Sequence, residues 1–290
     1  MKQMLGHFGL REAPFSLTPD TAFAYAAPAH QDALATLLVA LQQGEGFVKV
    51  TGEVGTGKTL LCRLLLDALS RDAEVVTAYV PRPMLTPREL LVVLTSDLGL
   101  RGTRRSATFD LHQGLESGLL ALAESGRRVV ICVDEAQALP LATLESLRLL
   151  SNLETCKRKL LQIVLFGQPE LDQLLSRHDC RSLASRIGFT ASLGPLGRPD
   201  LARYLRHRMA VAGWCGPDVF GPWTNLLLHR ACRGVPRRAN VLAHKCLMLA
   251  FGDGVRRVSI RHALEAMSDS RLPTCEPALV ADRAAWRTVP

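Results

Sequence analysis

Apolar positions along this chain follow two rhythms, and the change from one to the other marks its elements. Leu34, Leu37, Leu38 and Leu41 recur at spacings of three and four, which predicts a helix over about 30–43. Short apolar runs predict strands: Phe47-Val48-Lys49-Val50-Thr51, residues 74–80 (EVVTAYV), Val129-Val130-Ile131-Cys132-Val133 and residues 160–166 (LLQIVLF). Five apolar residues in a row fit a strand buried on both faces of a parallel sheet. Helices are predicted between them at 58–70, 86–98, 109–125, 140–155 and 170–177. In the second of these, Thr86-Pro87-Arg88-Glu89 puts proline at the first helical position. The second half of 181–194 (RSLASRIGFTASLG) predicts a last strand, so this part is α/β. A breaker-rich linker, 195–199 (PLGRP), follows, and beyond it the pattern is all helical, at about 200–212, 217–233, 236–251 and 259–269. Residues 1–30 carry prolines and aromatics without a period, which predicts a fixed irregular lead-in rather than a helix. Residues 99–108, with Arg101, Arg104 and Arg105, are expected to form an exposed loop, and 272–290 a loose tail.

Composition narrows the class only a little. Hydrophobic residues make up 48% and charged residues 21%, ordinary for a globular protein of 290 residues with ample core. No apolar run approaches the ~18 residues of a membrane span. Arg11, Glu12 and Asp20 interrupt any apolar stretch of a leader peptide. The eight cysteines show no CxxC and no zinc spacing, so they read as reduced packing residues of a cytosolic protein. Charge is more informative by position. Residues 198–262 hold twelve Arg or Lys against three Asp, a local +9, and leave the remainder near neutral. Such a region suits nucleic acid, an anionic membrane, or a solvated face with a few arginines turned to a nucleotide; the last is preferred.

The chemistry begins at Gly52-Glu53-Val54-Gly55-Thr56-Gly57-Lys58-Thr59, between a predicted strand and the helix opening at Leu60. Strand, glycine-rich turn and helix is the context in which GxxxxGKT binds phosphate. Gly52, Gly55 and Gly57 let backbone N–H groups curl inward, and the helix N-terminus adds positive potential. Lys58 is expected to reach the β- and γ-phosphates of ATP, and the Thr59 hydroxyl to hold Mg²⁺. Asp134 and Glu135 close the apolar run 129–133, at the strand end where open α/β sheets place ligands. Asp134 is expected to hold Mg²⁺, directly or through water, and Glu135 to orient and deprotonate the attacking water. Gln168, at the tip of the 160–166 strand, suits either a sensor of the γ-phosphate or a turn amide capping the next helix. Arg181 and Arg186, just before the last strand, read either as surface arginines or as fingers reaching a neighbouring copy's nucleotide in a ring. Arg237, in Gly234-Val235-Pro236-Arg237, starts a helix and is expected to meet the γ-phosphate from the lid side.

Together these features resemble the AAA+ ATPases over residues 30–270. Within that superfamily the chain resembles the ExeA/GspA secretion ATPases, most closely those of mannose-sensitive haemagglutinin (MSHA) type IV pilus biogenesis. The phrases that carry this are Phe8-Gly9-Leu10 with Pro14-Phe15-Ser16-Leu17-Thr18-Pro19-Asp20, and Gly44-Glu45-Gly46-Phe47 running on to Arg63. Further on they are Asp134-Glu135-Ala136-Gln137, Asn152-Leu153-Glu154-Thr155, Phe166-Gly167-Gln168-Pro169-Glu170-Leu171 and Gly234-Val235-Pro236-Arg237. The resemblance implies a P-loop domain over 30–197 with strand order 5-1-4-3-2, and a helical lid over 198–271. A lead-in, 1–29, would pack near the adenine, and the tail is 272–290. It makes Gln168 sensor 1, Arg237 sensor 2, and Arg186 or Arg181 the finger of an ATP-dependent oligomer. Partners would be pilus or secretion assembly proteins at the inner membrane. The longer ExeA-type proteins continue into a membrane span and a peptidoglycan-binding domain without counterpart here, so a partner is expected to anchor this cytoplasmic chain. The alternative is a DNA-binding transposition helper ATPase of the MuB/TniB type, which shares the core motifs and would use the basic region. Against it, the sequence shows no helix-turn-helix signature, and aromatics are 5% of the chain.

Overall fold

A computed structural model of the protein describes residues 2–81, 84–100, 106–154 and 159–270. Arg101, Arg104, Arg105 and the tail expected at 272–290 lie outside the described residues.

The chain runs α1(Lys2–Phe8), α2(Pro28–Gln42), β1(Phe47–Gly52), α3(Lys58–Leu69), β2(Val75–Val80), α4(Pro87–Asp97), α5(Thr108–Glu124) and β3(Arg128–Val133). It continues through α6(Leu141–Leu150), β4(Leu161–Gly167), α7(Glu170–Leu175), α8(Arg181–Ala184) and β5(Ile187–Leu193) to the helices α9(Arg198–Val211), α10(Pro222–Cys232), α11(Pro236–Gly252) and α12(Ile260–Asp269). The five strands form one parallel sheet in the order β2-β3-β4-β1-β5, the order expected from the family resemblance.

Period-two alternation explains the unbroken apolar runs. Val129, Ile131 and Val133 of β3 point into the core under α4 to α8, while Val130 and Cys132 point to the opposite core under α2 and α3. β4 divides likewise, with Leu161, Ile163 and Leu165 on one side and Val164 and Phe166 on the other. Both faces are covered, so beyond Arg128 at the start of β3 the polar residue in these strands is Gln162, whose amide donates to the carbonyls of Leu41 and Glu45. Edge strand β5 alternates buried and exposed positions instead. Parallel pairing sets the C-terminal ends of β1, β3 and β4 side by side, which is where the motif residues lie.

Two expectations are corrected. The lead-in is not wholly irregular: α1 is a helix, and Met4 and Phe8 on it enter a third core with Leu201, Leu205, Leu242 and Leu247 of the C-terminal helices. Its seven residues are too few to show a period, and Gly9, at φ 66°, ends it in the left-handed conformation glycine permits. The helix predicted to 155 stops at Leu150, with Ser151 as its cap, because Leu153 and Leu160 turn inward and start the approach to β4.

Candidate nucleotide-binding site

The turn after β1 is shaped by its glycines. Gly55 and Gly57 have φ of 83° and 105°, a region costly for other residues, and both are closely approached. A Cβ on Gly57 would lie 2.7 Å from His30 Nε2, and one on Gly55 would lie 2.6 Å from the Cβ of Arg237. The His30 ring sits 2.9 Å from the Thr56 carbonyl, which can only accept, so Nε2 carries the hydrogen. Burial lowers the basicity of His30, and the carbonyl bond opposes this. Thr56 closes the turn by donating to the Glu53 carbonyl at 2.8 Å.

Lys58 is only 4% exposed and donates to the carbonyls of Gly52 at 2.7 Å and Glu53 at 3.0 Å. Burial draws its pKa down, and the carboxylates of Glu135, Asp134, Glu53 and Glu170 push it back. The net shift is downward, and the amine is held on the loop's own carbonyls, which it can exchange for stronger anionic acceptors. Thr59 donates to Asp134 Oδ2 at 2.7 Å, which brings together the two residues expected to hold Mg²⁺. Burial raises the Asp134 pKa, while the Thr59 hydroxyl and the Glu135 backbone N–H lower it. A hydroxyl and a carboxylate are a hard oxygen set suited to Mg²⁺, which takes one or two protein ligands and fills its shell with phosphate and water. Among the described residues there is no group of three His, Cys, Asp or Glu side chains that could hold a metal alone.

Glu135 is one of two non-glycine residues with positive φ among those described, at 53°. Its Oε2 accepts from Gln137 Nε2 at 2.6 Å and from Gln168 Nε2 at 2.9 Å. Burial pushes the Glu135 pKa up, but the two amides and the Lys58 charge outweigh it, and the net shift is downward. The Gln168 side chain thus meets the acidic strand end and does not cap the next helix, α7. The start of α11 closes the other side, where the Arg237 backbone N–H donates to the Gly55 carbonyl at 3.2 Å.

One cleft reaches Lys58, Thr59, Glu135 and Arg237, while Asp134 and Gln168 are not on its wall. Val54, Gly55, Gly57, Lys58, Thr59, Leu60 and Glu135 line one wall, and Pro236, Arg237, Tyr204, Arg208 and Asn240 the other. Ser16 to Asp20 of the lead-in complete its rim. Arg181 is exposed and Arg186 donates to Ser151 Oγ at 3.1 Å; neither lines the cleft of its own chain.

The sequence reading had given no role to Gln137, His30, Tyr204, Arg208 or Asn240. Arg208 is 7% exposed and donates to the carbonyls of Pro14 and Ser16 and to Tyr204 Oη, with the Phe23 ring 4.9 Å from its guanidinium carbon. Tyr204 in turn donates to Asn240 at 2.7 Å. The available signal was a tyrosine and an arginine four apart on the leucine-bearing face of α9.

Residues 41–175 match the family described as AAA domain. Over 281 residues, 97% of this chain, the sequence is 40% identical to general secretion pathway protein A of Aeromonas hydrophila. The chain spans about half the length of that relative, 50%. Similar solved structures include Cdc6p of Pyrobaculum aerophilum, at 15% identity and a TM-score of 0.68 over 87% of this chain and 71% of that one. The Aeropyrum pernix ORC1 protein, solved in complex with DNA, is similar at 21% identity and a TM-score of 0.66, over 90% and 69% of the two chains. The ORC2 protein of the same organism, solved in ADPNP-ADP complexes, gives 18% and 0.63 over 86% and 71%. At these identities the likeness concerns the fold. The fold is therefore that of the AAA P-loop nucleotide-binding proteins, and along nearly all its length the chain is similar to a general secretion pathway protein A.

Proposed function

We propose that the chain binds Mg·ATP in the cleft between the Gly52–Thr59 turn and the lid, and hydrolyses it to ADP and phosphate. The observation that carries this is the meeting of Lys58, the Thr59–Asp134 pair and the amide-held Glu135 in one place. Lys58 and the loop N–H groups bind and orient the phosphates, and Thr59 and Asp134 hold Mg²⁺, which when bound neutralises charge on the transferring group. Glu135 takes a proton from water as the water oxygen bonds to the γ-phosphorus and the bond to the bridging oxygen breaks. Gln168 and Arg237 flank the γ-phosphate position as sensors 1 and 2. Arg186 or Arg181, facing away from their own cleft, act on a neighbouring copy in an oligomer.

In this reading an α/β domain, 30–197, works against a lid, 198–271. Lid motion drives assembly of a type II secretion machine or an MSHA-like type IV pilus at the inner membrane, with Mg·ATP as fuel. The identity to a secretion pathway protein along 97% of the chain supports the first of these. No helix among the described residues is long and apolar enough to cross a membrane. The DNA-helper alternative is less well supported, since the DNA-bound neighbour shares only the fold.

The test is a pair of variants. Lys58→Ala is expected to abolish binding of a fluorescent ATP analogue. Glu135→Gln is expected to keep binding and to lose about 10²-fold or more in turnover. Unchanged hydrolysis in Glu135→Gln removes Glu135 from its role, and an ATP-stimulated, salt-sensitive shift of duplex DNA would favour the alternative.

A further inference from the structure

The acidic strand end is held by a side chain to which its motif assigns no chemistry. Gln137 follows Glu135 by two residues, in the short 3-10 turn 136–138. Its Oε1 accepts the backbone N–H of Gln168 at 3.0 Å, and its Nε2 donates to Glu135 Oε2 at 2.6 Å. The first bond fixes the second. A backbone N–H can only donate, so the carbonyl end of the Gln137 amide must face Gln168, and the NH₂ end is left pointing at Glu135. Space is tight on that side too, since a Cβ on Gly167 would come within 3.3 Å of Gln137 Oε1. The amide therefore bridges the ends of β3 and β4. Both amide donors, from Gln137 and Gln168, fall on Oε2, and Oε1 has no hydrogen-bond partner among the described residues.

We propose that Gln137 is a positioning residue for Glu135, which locks the carboxylate by one oxygen and leaves Oε1 as the oxygen that meets the attacking water. This rests on the reading of Glu135 as the group that activates water. The backbone gives a reason for a second clamp: Glu135 sits in the left-handed region, where its own main chain is at an energetic disadvantage and side-chain bonds must hold its direction. Gln168 alone supplies one hydrogen bond, about which the carboxylate can still pivot. No charged neighbour bonds the Glu135 carboxylate in its place: Lys58 donates to the Gly52 and Glu53 carbonyls, and Asp134 accepts from Thr59 and the Glu135 N–H. A misplacement of about 1 Å in such a group costs up to 10²-fold in rate without weakening binding.

The experiment compares Q137A, E135Q and the double variant in steady-state hydrolysis of Mg·ATP, with the affinity for a fluorescent ATP analogue and the melting midpoint measured on each. The expected result is a fall in turnover of at least tenfold in Q137A, with affinity and midpoint unchanged. On the E135Q background Q137A should do nothing further, because the group it positions is gone. Turnover within twofold of the parent overturns the proposal. So does a tenfold loss that adds to E135Q, or one that follows lost affinity. If E135Q itself hydrolyses normally, the assignment of Glu135 fails instead, which the single variant shows separately. Should Q137A not fold, Q137E keeps the length and the acceptor for Gln168 but turns an oxygen towards Oε2; the same loss with intact affinity is expected. Failure of both to fold makes Gln137 a structural strut and also overturns the proposal.

Discussion

The contact between the Gly52–Thr59 turn and the start of α11 can be weighed with a single methyl group. At Gly55 an added Cβ would meet the Arg237 Cβ at 2.6 Å and Val235 Cγ1 at 3.2 Å. Arg237 Cβ is fixed to the first turn of α11, so no rotamer change relieves the clash, and the helix must back away by about 1 Å to restore ordinary contact. That retreat breaks the hydrogen bond from Arg237 N–H to the Gly55 carbonyl, now 3.2 Å long, worth about 1 kcal/mol. The φ of 83° adds its own cost, about 1–2 kcal/mol for any residue with a Cβ. Gly55→Ala should therefore destabilise by about 2–3 kcal/mol. Gly254, at φ 70° with nothing within 4 Å of its Cβ position, supplies the control. Gly254→Ala carries the backbone cost of about 1–2 kcal/mol without the clash. Equilibrium urea unfolding of the two variants reads the difference, at least ~1 kcal/mol, as the worth of lid docking on the loop. Affinity for an ATP analogue should fall with it in Gly55→Ala only. Equal losses of stability in the two variants, or unchanged affinity in Gly55→Ala, would refute the reasoning.

Three further outcomes are expected. Arg208→Ala takes the side-chain donor from the buried Pro14 carbonyl and leaves the Ser16 carbonyl to Asn240 alone, and should cost about 2 kcal/mol in urea unfolding and expose the lead-in to proteolysis near residues 11–20. Thr86→Ala removes a capping box in which Thr86 and Glu89 satisfy each other's backbone N–H, and should cost about 1 kcal/mol with no effect on nucleotide binding. The Asp253 carboxyl is held below its usual pKa by the His262 ring bonded to it at 3.0 Å. Its contribution to stability is complete above the ordinary carboxylate range and is lost as pH falls through the lowered folded-state value. Urea midpoints taken down through that range should drop more in the parent than in Asp253→Asn.

Much of the site was legible because its residues are adjacent in sequence to the elements that place them. Lys58 and Thr59 open the helix after β1, and Asp134 and Glu135 end β3, so strand prediction alone sets both at one sheet edge. The same holds for the two cores, since apolar runs without alternation require burial on both sides. Gln137 was visible as a letter but not as a contact, because its bridge joins Glu135, just after β3, to Gln168, just after β4. α1 was missed for a related reason: a seven-residue helix has no room for a period, and its apolar positions enter a core built largely from segments some 200 residues later.

Local chemistry settled the sequence's share: glycines where the backbone must turn left, five apolar segments that demand a covered sheet, and a lysine, threonine and acidic pair at the ends of predicted strands. Tertiary packing decided the rest. It placed the lead-in on the lid through Arg208, seated Arg237 on Gly55, and turned Gln137 and Gln168 onto one oxygen of Glu135. Those contacts depend on distances between segments far apart in the chain, and hydrogen bonds and steric fit act only over a few ångströms, so no local pattern encodes them.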